Sequence, residues 1–317
     1  MSEVKMVATR DVYGKTLVEI GKENPNVVVL DADLSVSTKT SLFAKAFPNR
    51  FFNMGVAEQD MISTAAGLAS CGKIVFASTF AVFGSGRAWD QVRISVAYTR
   101  LNVKIVVTHG GITTGEDGAS HQANEDIAIM RVIPNMTVIV PADGIETALV
   151  IREAVKFYGP TYIRLSRTKT PLVYEEGKCD FKIGKGNILK DGKDATIIAC
   201  GIMVSKGLDA AAELAKENIH CRVVDMHTIK PIDKELIVKC ARDTGAIVTA
   251  EEHSILGGLG GAVAEVLTEN MPVPQARIGV KDMFGESGKP EELLVKYGLT
   301  TEQIISAVRT VIKRKQH

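Results

Sequence analysis

Short, β-branched apolar runs separated by helix-length amphipathic stretches recur along almost all of the 317-residue chain. Val27-Val28-Val29-Leu30, Lys73-Ile74-Val75-Phe76, Val103 to Val107 and Thr137 to Val140 are the first four. Runs this short and this continuously apolar read as strands buried on both faces of a parallel sheet. Between them, Glu58 to Ser70, Arg87 to Thr99 and Asp143 to Phe157 read as helices. The last carries an N-terminal signature, with Asp143 as N-cap and Glu146 three residues on. Such alternation leaves one fold class: α/β, with parallel sheets covered by helices on both faces.

The rhythm breaks between Thr168 and Asp194, where Pro171, Gly177, Gly184, Gly186 and Asp191-Gly192 cluster. That segment reads as a connection with room for an edge strand. Alternation resumes with strands at 195–199, 222–224 and 246–249 and helices at 204–217, 233–242 and 262–269. A final helix begins near Thr300, with Gln303 at the capping-box position. The chain therefore reads as two domains, 1–170 and 190–317, joined by 171–189. Its length agrees with roughly 100–200 residues per domain.

With 38 Lys+Arg against 37 Asp+Glu, the net charge is +1, which argues against a nucleic-acid or polybasic membrane binder. The longest uncharged stretch, Ile74 to Gly86, is 13 residues, too short to span a bilayer. Residues 1–16 hold no signal-peptide core. The five cysteines (71, 179, 200, 221, 240) are widely spaced, with no Cys-x-x-Cys pair. They read as reduced, buried thiols of a cytoplasmic protein.

In parallel α/β sheets ligands bind beyond the carboxyl ends of strands, so the post-strand segments are the ones to read for chemistry. Asp31 to Thr38 offers carboxylates and hydroxyls, including Asp33 and Ser37, and reads as turn and capping chemistry. Glu58 opens a helix of small apolar residues; a carboxylate there complements the helix dipole. A carboxyl in an apolar pocket can also be tuned for proton transfer near neutral pH. Phe80 and Phe83 are either core or a wall for a flat ring. Thr108 to Gln122 is glycine-rich and holds His109, Asp117 and His121; such loops tend to carry function. Its histidines share no helix and lack a third ligand, so polar substrate recognition is favoured over metal. Gly257-Gly258-Leu259-Gly260-Gly261 fails Gly-x-Gly-x-x-Gly at Val263 and reads as close helix packing. His220, His227 and His253 read as structural, and Lys313-Arg314-Lys315 as a solvated tail.

Gly55 to Asp60 and Gly115 to Gln122, in this order, resemble the C-terminal half of transketolase. So do Val224 to Asp233 and Glu251 to Gly260, and the likeness covers essentially the whole chain. It implies a pyrimidine-binding domain of thiamine diphosphate enzymes followed by a transketolase C-terminal domain. The expected activity is transfer of a two-carbon ketol unit between sugar phosphates in the pentose phosphate pathway. By the resemblance, Glu58 hydrogen-bonds the aminopyrimidine ring of the cofactor and Phe80 and Phe83 face that ring. Asp33 stands near the cofactor. Asp117 and His121 contact donor hydroxyls, and Arg10, Ser37, His109 and Arg167 hold the phosphate. Gly86 stands where many transketolases have another aromatic, and Arg87 reads as an extra cation for phosphate. No Gly-Asp-Gly motif occurs in the sequence. The resemblance therefore implies an N-terminal partner subunit holding the diphosphate and Mg²⁺, in an α2β2 heterotetramer with the cofactor shared between chains. Two other enzymes share these domains: the beta subunit of a 2-oxoacid dehydrogenase E1 component, and deoxyxylulose-phosphate synthase. A non-catalytic assembly subunit is the remaining alternative.

Overall fold

The computed structural model describes residues 5–315. Its strands are β1 (Met6–Ala8), β2 (Val27–Asp31), β3 (Phe51–Asn53), β4 (Ile74–Phe80), β5 (Val103–Thr108), β6 (Thr137–Ile139) and β7 (Thr161–Arg164). They continue with β8 (Lys169–Pro171), β9 (Asn187–Lys190), β10 (Ala195–Ala199), β11 (Cys221–Asp225), β12 (Thr228–Lys230), β13 (Ile247–Ser254) and β14 (Gln275–Val280). The first sheet runs β12-β6-β7-β5-β4-β2-β3, all parallel except β12 at its edge. The second runs β14-β13-β10-β11-β9, parallel except β9. β1 and β8 form a separate antiparallel ribbon.

The expected α/β architecture is present, and most elements lie where the pattern places them. Glu58–Ser70 is helical, and Gly144–Lys156 is capped by Asp143, whose side chain accepts from the Glu146 N–H at 2.9 Å. The segment read as a connection carries two strands, β8 and β9. Further elements escaped the sequence pattern, among them the helix Thr9–Glu23 and two later ones. β14 is a half-exposed edge strand in which Arg277 and Gly279 hide the apolar period, and Pro290–Lys296 is a short helix. The stretch read as a helix from Arg87 begins earlier, at Ala81, and winds in widened i→i+5 turns over Phe83–Arg87 and Val92–Tyr98. Gly84 sits in the first wide turn because a Cβ there would stand 3.0 Å from the Thr79 and Val107 side chains.

β12 is the least obvious element. Having left β11, the chain returns to the first sheet and pairs with β6 before re-entering the second unit at helix Lys234–Thr244. This stitch accompanies a shared core. One apolar cluster runs from Leu30, Val75 and Ile105 through Ile127 and Met136 to Ile198 and Val224 of the second sheet. All five cysteines are free, but the expectation that they are buried holds only for Cys200, Cys221 and Cys240. Cys71 is exposed and Cys179 half-buried, because Cys71 ends helix Glu58–Ser70 where there is no core to enter. No helix among the described residues is long and apolar enough to cross a membrane.

The glycine-rich turn behaves as packing. The Leu259 and Gly260 N–H groups, at the start of helix Leu259–Asn270, donate to buried Glu251 at 2.6 and 2.8 Å. A helix end satisfied by a protein carboxylate is not a phosphate site. His253 is buried, its Nδ1 2.7 Å from the Ser254 carbonyl.

A buried polar cluster joins the two sheets. Glu146 and Asp225 are both fully buried, and neither Glu146 Oε1 nor Asp225 Oδ1 has a hydrogen-bond partner among the described residues; His227 Nε2 stands 3.9 Å from Glu146 Oε1. Tyr174 donates to Asp225 Oδ2 at 2.8 Å. One proton shared between the carboxyls would satisfy both free oxygens. Burial raises both, Asp225 to about 7, with Asp225 itself adding to the rise at Glu146. The folded state therefore keeps a proton that the unfolded chain releases above the ordinary carboxylate range. Stability from this pair is complete at acid pH and falls as pH rises through about 7. Between about pH 5.5 and about pH 8, Asp225→Asn should show a shallower loss of melting temperature than the parent. Parallel curves in scanning calorimetry would contradict the shared proton.

Candidate active site

Every candidate residue lies beyond a strand of the first sheet, on the carboxyl side of β2, β3, β4, β5 or β7, or on the helix after β1. The sheet brings segments far apart in sequence to the same edge.

Glu58 is the first residue of helix Glu58–Ser70 and is 4% exposed. The strand-to-helix turn before it is held by Asn53. Its Oδ1 accepts from the Asp33 and Gly55 N–H groups, both at 3.1 Å, and its Nδ2 donates to Asp33 Oδ1 at 2.9 Å. Asp33 thus shares the rim with the Glu58 turn; it is exposed and has a positive φ of 64°. Asp31 supplies the capping expected of that segment. It accepts from the Leu34 N–H at 2.6 Å and from the Thr38 and Thr40 hydroxyls at 2.7 and 2.8 Å.

Phe80 and Phe83 form a wall, their rings stacked with centroids 6.0 Å apart. His109 stacks on Phe80 at 3.7 Å, and His121 meets the edge of Phe83 at 5.2 Å. Arg87 corrects the expectation of a spare phosphate-binding cation. Its Nη1 lies 3.1 and 3.4 Å from the two carboxylate oxygens of Glu58, and its guanidinium lies 4.0 Å over the Phe83 ring.

The loop after β5 is buried through Gly115. Glu252 at the end of β13 reaches across and accepts from the Thr113 N–H at 2.7 Å. Arg164 donates to the carbonyls of Ala123 and Glu252 at 3.2 and 2.8 Å and to Asp126 at 2.8 Å. Glycine is obligatory here: a Cβ on Gly110 would stand 2.6 Å from the Arg164 guanidinium. One on Gly111, at φ 79°, would stand 2.3 Å from the Glu252 carboxylate.

His109 itself has φ 62°, a left-handed conformation uncommon outside glycine. Arg10 Nη1 donates to its Nε2 at 3.3 Å, since a guanidinium can only donate. The ring proton is therefore on Nδ1 and points to the Thr108 hydroxyl at 2.7 Å. Burial, then Arg10, Arg167, His121 and Lys39, push the imidazole down to about 3. His109 is thus a neutral acceptor and not one of the cations of the site; the positive charge is that of Arg10, Arg167 and Lys39. Lys39 went unnoticed in the sequence because its place, just past a one-turn helix, carries no motif. Arg10 also donates to the Ser37 carbonyl at 3.2 Å, so Ser37 enters through its backbone. Arg167 donates to Glu116 at 2.9 Å and to the Thr114 carbonyl. Asp117 is exposed and makes no side-chain hydrogen bond among the described residues, while His121 Nδ1 is 2.9 Å from the Ser120 hydroxyl. Among the described residues no group of three His, Cys, Asp or Glu is placed to hold a metal ion.

The arrangement is a buried carboxylate beside an aromatic wall, with an arginine-lined end and a polar loop between. Residues 5–173 match the family model "Transketolase, pyrimidine binding domain" and residues 184–304 match "Transketolase, C-terminal domain". The chain belongs to the transketolase family. It is 56% identical over 305 residues to the putative transketolase C-terminal section of Methanocaldococcus jannaschii, covering 96% of each. It is 45% identical over 306 residues to a 6-deoxy-6-sulfo-D-fructose transketolase subunit of a Clostridium species, covering 96% of this chain and 95% of that one. Among solved structures, one described as a split gene transketolase, inactive beta4 tetramer, superposes with a TM-score of 0.91 at 57% identity. The match covers 98% of this chain and 99% of that one.

A neutral His109 has a measurable consequence. Sulfate stays doubly charged over the working range, so its binding reports on the protein alone. Its affinity by calorimetry should differ little between about pH 5.5 and about pH 8, because His109 does not titrate there. Arg10→Met should weaken it by about tenfold or more at both values, the scale of a lost charge-assisted hydrogen bond. Several-fold tighter binding at the acid end that persists in a His121→Gln variant would show instead that His109 takes up a proton.

Proposed function

We propose that the chain is the C-terminal subunit of a two-chain, thiamine diphosphate-dependent transketolase that moves a two-carbon ketol unit between phosphorylated sugars. In this reading residues 1–170 are the pyrimidine-binding domain and residues 190–317 the C-terminal domain, with 171–189 between them. The observation that carries it is the meeting of Glu58, Phe83 and the guanidinium of Arg87. A planar, hydrogen-bonding cation stacks on Phe83 and bonds to Glu58. The slot therefore has the size, the flat wall and the acceptor that an aminopyrimidine ring needs. The sequence has no Gly-Asp-Gly motif, and in this reading the diphosphate and its Mg²⁺ are held by an N-terminal subunit in an α2β2 assembly. A relative described as the product of a split gene and another described as a subunit support a two-chain enzyme.

When bound, thiamine diphosphate supplies the nucleophilic carbon and the electron sink for breaking the carbon–carbon bond. The chain's own residues do the rest. Glu58, buried at its helix start, holds the ring by one hydrogen bond. Phe83, backed by Phe80, fixes the ring plane by offset stacking. Asp33, tied to Asn53, lines the cofactor side of the rim. Asp117 and His121 project from the loop after β5 to bind donor hydroxyls, and Ser120 orients the His121 ring. Arg10 and Arg167 grip the anionic tail, with neutral His109 and Ser37 fixing Arg10. Such a pocket accepts phosphate, and a relative named for a sulfo-sugar supports an anionic tail more firmly than any one sugar.

The test is an assay of the chain alone and with its N-terminal subunit, on xylulose 5-phosphate plus ribose 5-phosphate. Activity is expected only from the pair, and full activity of the isolated chain would sink the two-chain reading. Glu58→Ala should fold normally and lose turnover by at least about 100-fold in the pair, the scale set for a proton-handling group. Unchanged turnover would remove Glu58 from the chemistry.

A further inference from the structure

Among the described residues the Arg87 side chain meets two groups, and both are assigned above to the cofactor ring. Its Nη1 reaches both oxygens of Glu58, at 3.1 and 3.4 Å, and its guanidinium covers the Phe83 face at 4.0 Å. A guanidinium and an aminopyrimidine are alike in what matters here: both are flat, both stack on an aromatic face and both bond to a carboxylate. They cannot occupy the same face of Phe83 at once.

The surroundings leave Arg87 anchored by its backbone and free at its tip. Its carbonyl accepts from Gln59 Nε2 at 3.1 Å, which ties it to the first turn of helix Glu58–Ser70. Its side chain is 51% exposed, whereas that of Glu58 is 4% exposed. At neighbouring Gly86 a Cβ would meet nothing within 4 Å, so the space beside Arg87 is open. Val56 to Asp60 and Arg87 border a cavity of about 600 Å³. The guanidinium can leave Glu58 without moving the helix or the wall.

We propose that Arg87 is the resident occupant of the ring slot, so that cofactor binding and the Arg87–Glu58 pair exclude each other. This rests on the reading of the slot given above. Arg87 then sets the cofactor's affinity, because the ring must expel it. Until that happens it keeps Glu58 paired and the Phe83 face covered. A half-exposed ion pair and one cation–π contact are each weak, so the expected penalty on cofactor affinity is roughly 3- to 30-fold.

The experiment measures thiamine diphosphate affinity by equilibrium dialysis on the assembled two-subunit complex with Mg²⁺. Parent, Arg87→Ala and Arg87→Lys are compared, each with its melting temperature. Arg87→Ala should bind the cofactor roughly 3- to 30-fold more tightly. Arg87→Lys, which keeps the charge and loses the plane, should fall between. In a Glu58→Gln background Arg87→Ala should gain less, since part of what it releases is already gone. Equal or weaker binding by Arg87→Ala, with the parent binding normally, overturns the proposal and leaves the site reading intact. If the folded complex binds no thiamine diphosphate in any variant, the site reading falls and the proposal with it.

Discussion

Arg164 holds a full positive charge where there is no water to solvate it, at the end of the interior strand β7 and 5% exposed. Its charge is tolerated because Asp126, fully buried, lies 2.8 Å from Nε, and because two carbonyls take the donors of Nη2. Those carbonyls belong to Ala123, where the His109 loop returns, and to Glu252, at the end of a strand in the other sheet. One guanidinium thus ties the first sheet, the site loop and the second sheet together. Removing one partner of such a pair costs about 3–5 kcal/mol, because the other charge is left buried alone. The glycines at 110 and 111 follow from this packing, since any side chain there would occupy the space of Arg164 or Glu252. So does the position of His109, one residue before Gly110.

The same geometry explains how a nearly neutral chain can gather positive charge in one place. Three cations, Arg10, Arg167 and Lys39, stand near one neutral histidine. Burial and four positive or dipolar neighbours keep His109 unprotonated. Its Nε2 lone pair is therefore available to orient Arg10. A protonated ring would repel that arginine. The electrostatics of the pocket depend on one imidazole being an acceptor, and the backbone strain at φ 62° is the conformational cost of putting it there.

Much of this was legible in the chain. Strand cores such as Val27 to Leu30 and Ile105 to Val107 announce themselves because both their faces are buried. Glu58 and Asp143 announce themselves because helix starts have few good residues. The site segments could be singled out because parallel sheets bind at carboxyl ends. What escaped depends on tertiary partners. Thr228-Ile229-Lys230 is a strand only because β6 presents a free edge. Arg164 and Asp126 look like surface charges until the loop closes over them. Arg87 reads as a loose cation until folding places it 3.1 Å from Glu58. His109 carries no sign in the sequence of which proton it holds.

The groups of the site divide by how firmly the fold fixes them. His109, Arg10 and the turn before Glu58 are each held by several hydrogen bonds from separate elements. Asp117, Asp33 and the tip of Arg87 stand exposed or singly held. Fixed groups suit interactions that must be in place before a ligand arrives, since their ordering cost is met by folding. Loosely held groups suit contacts that form only when something fills the cavity. In this chain the fixed groups line the arginine end and the ring wall, and the free ones border the open side. On the reading proposed above, that distribution suits a half-site whose remaining wall belongs to another surface: rigid where this chain alone would define the ligand's position, yielding where that position would be completed from outside.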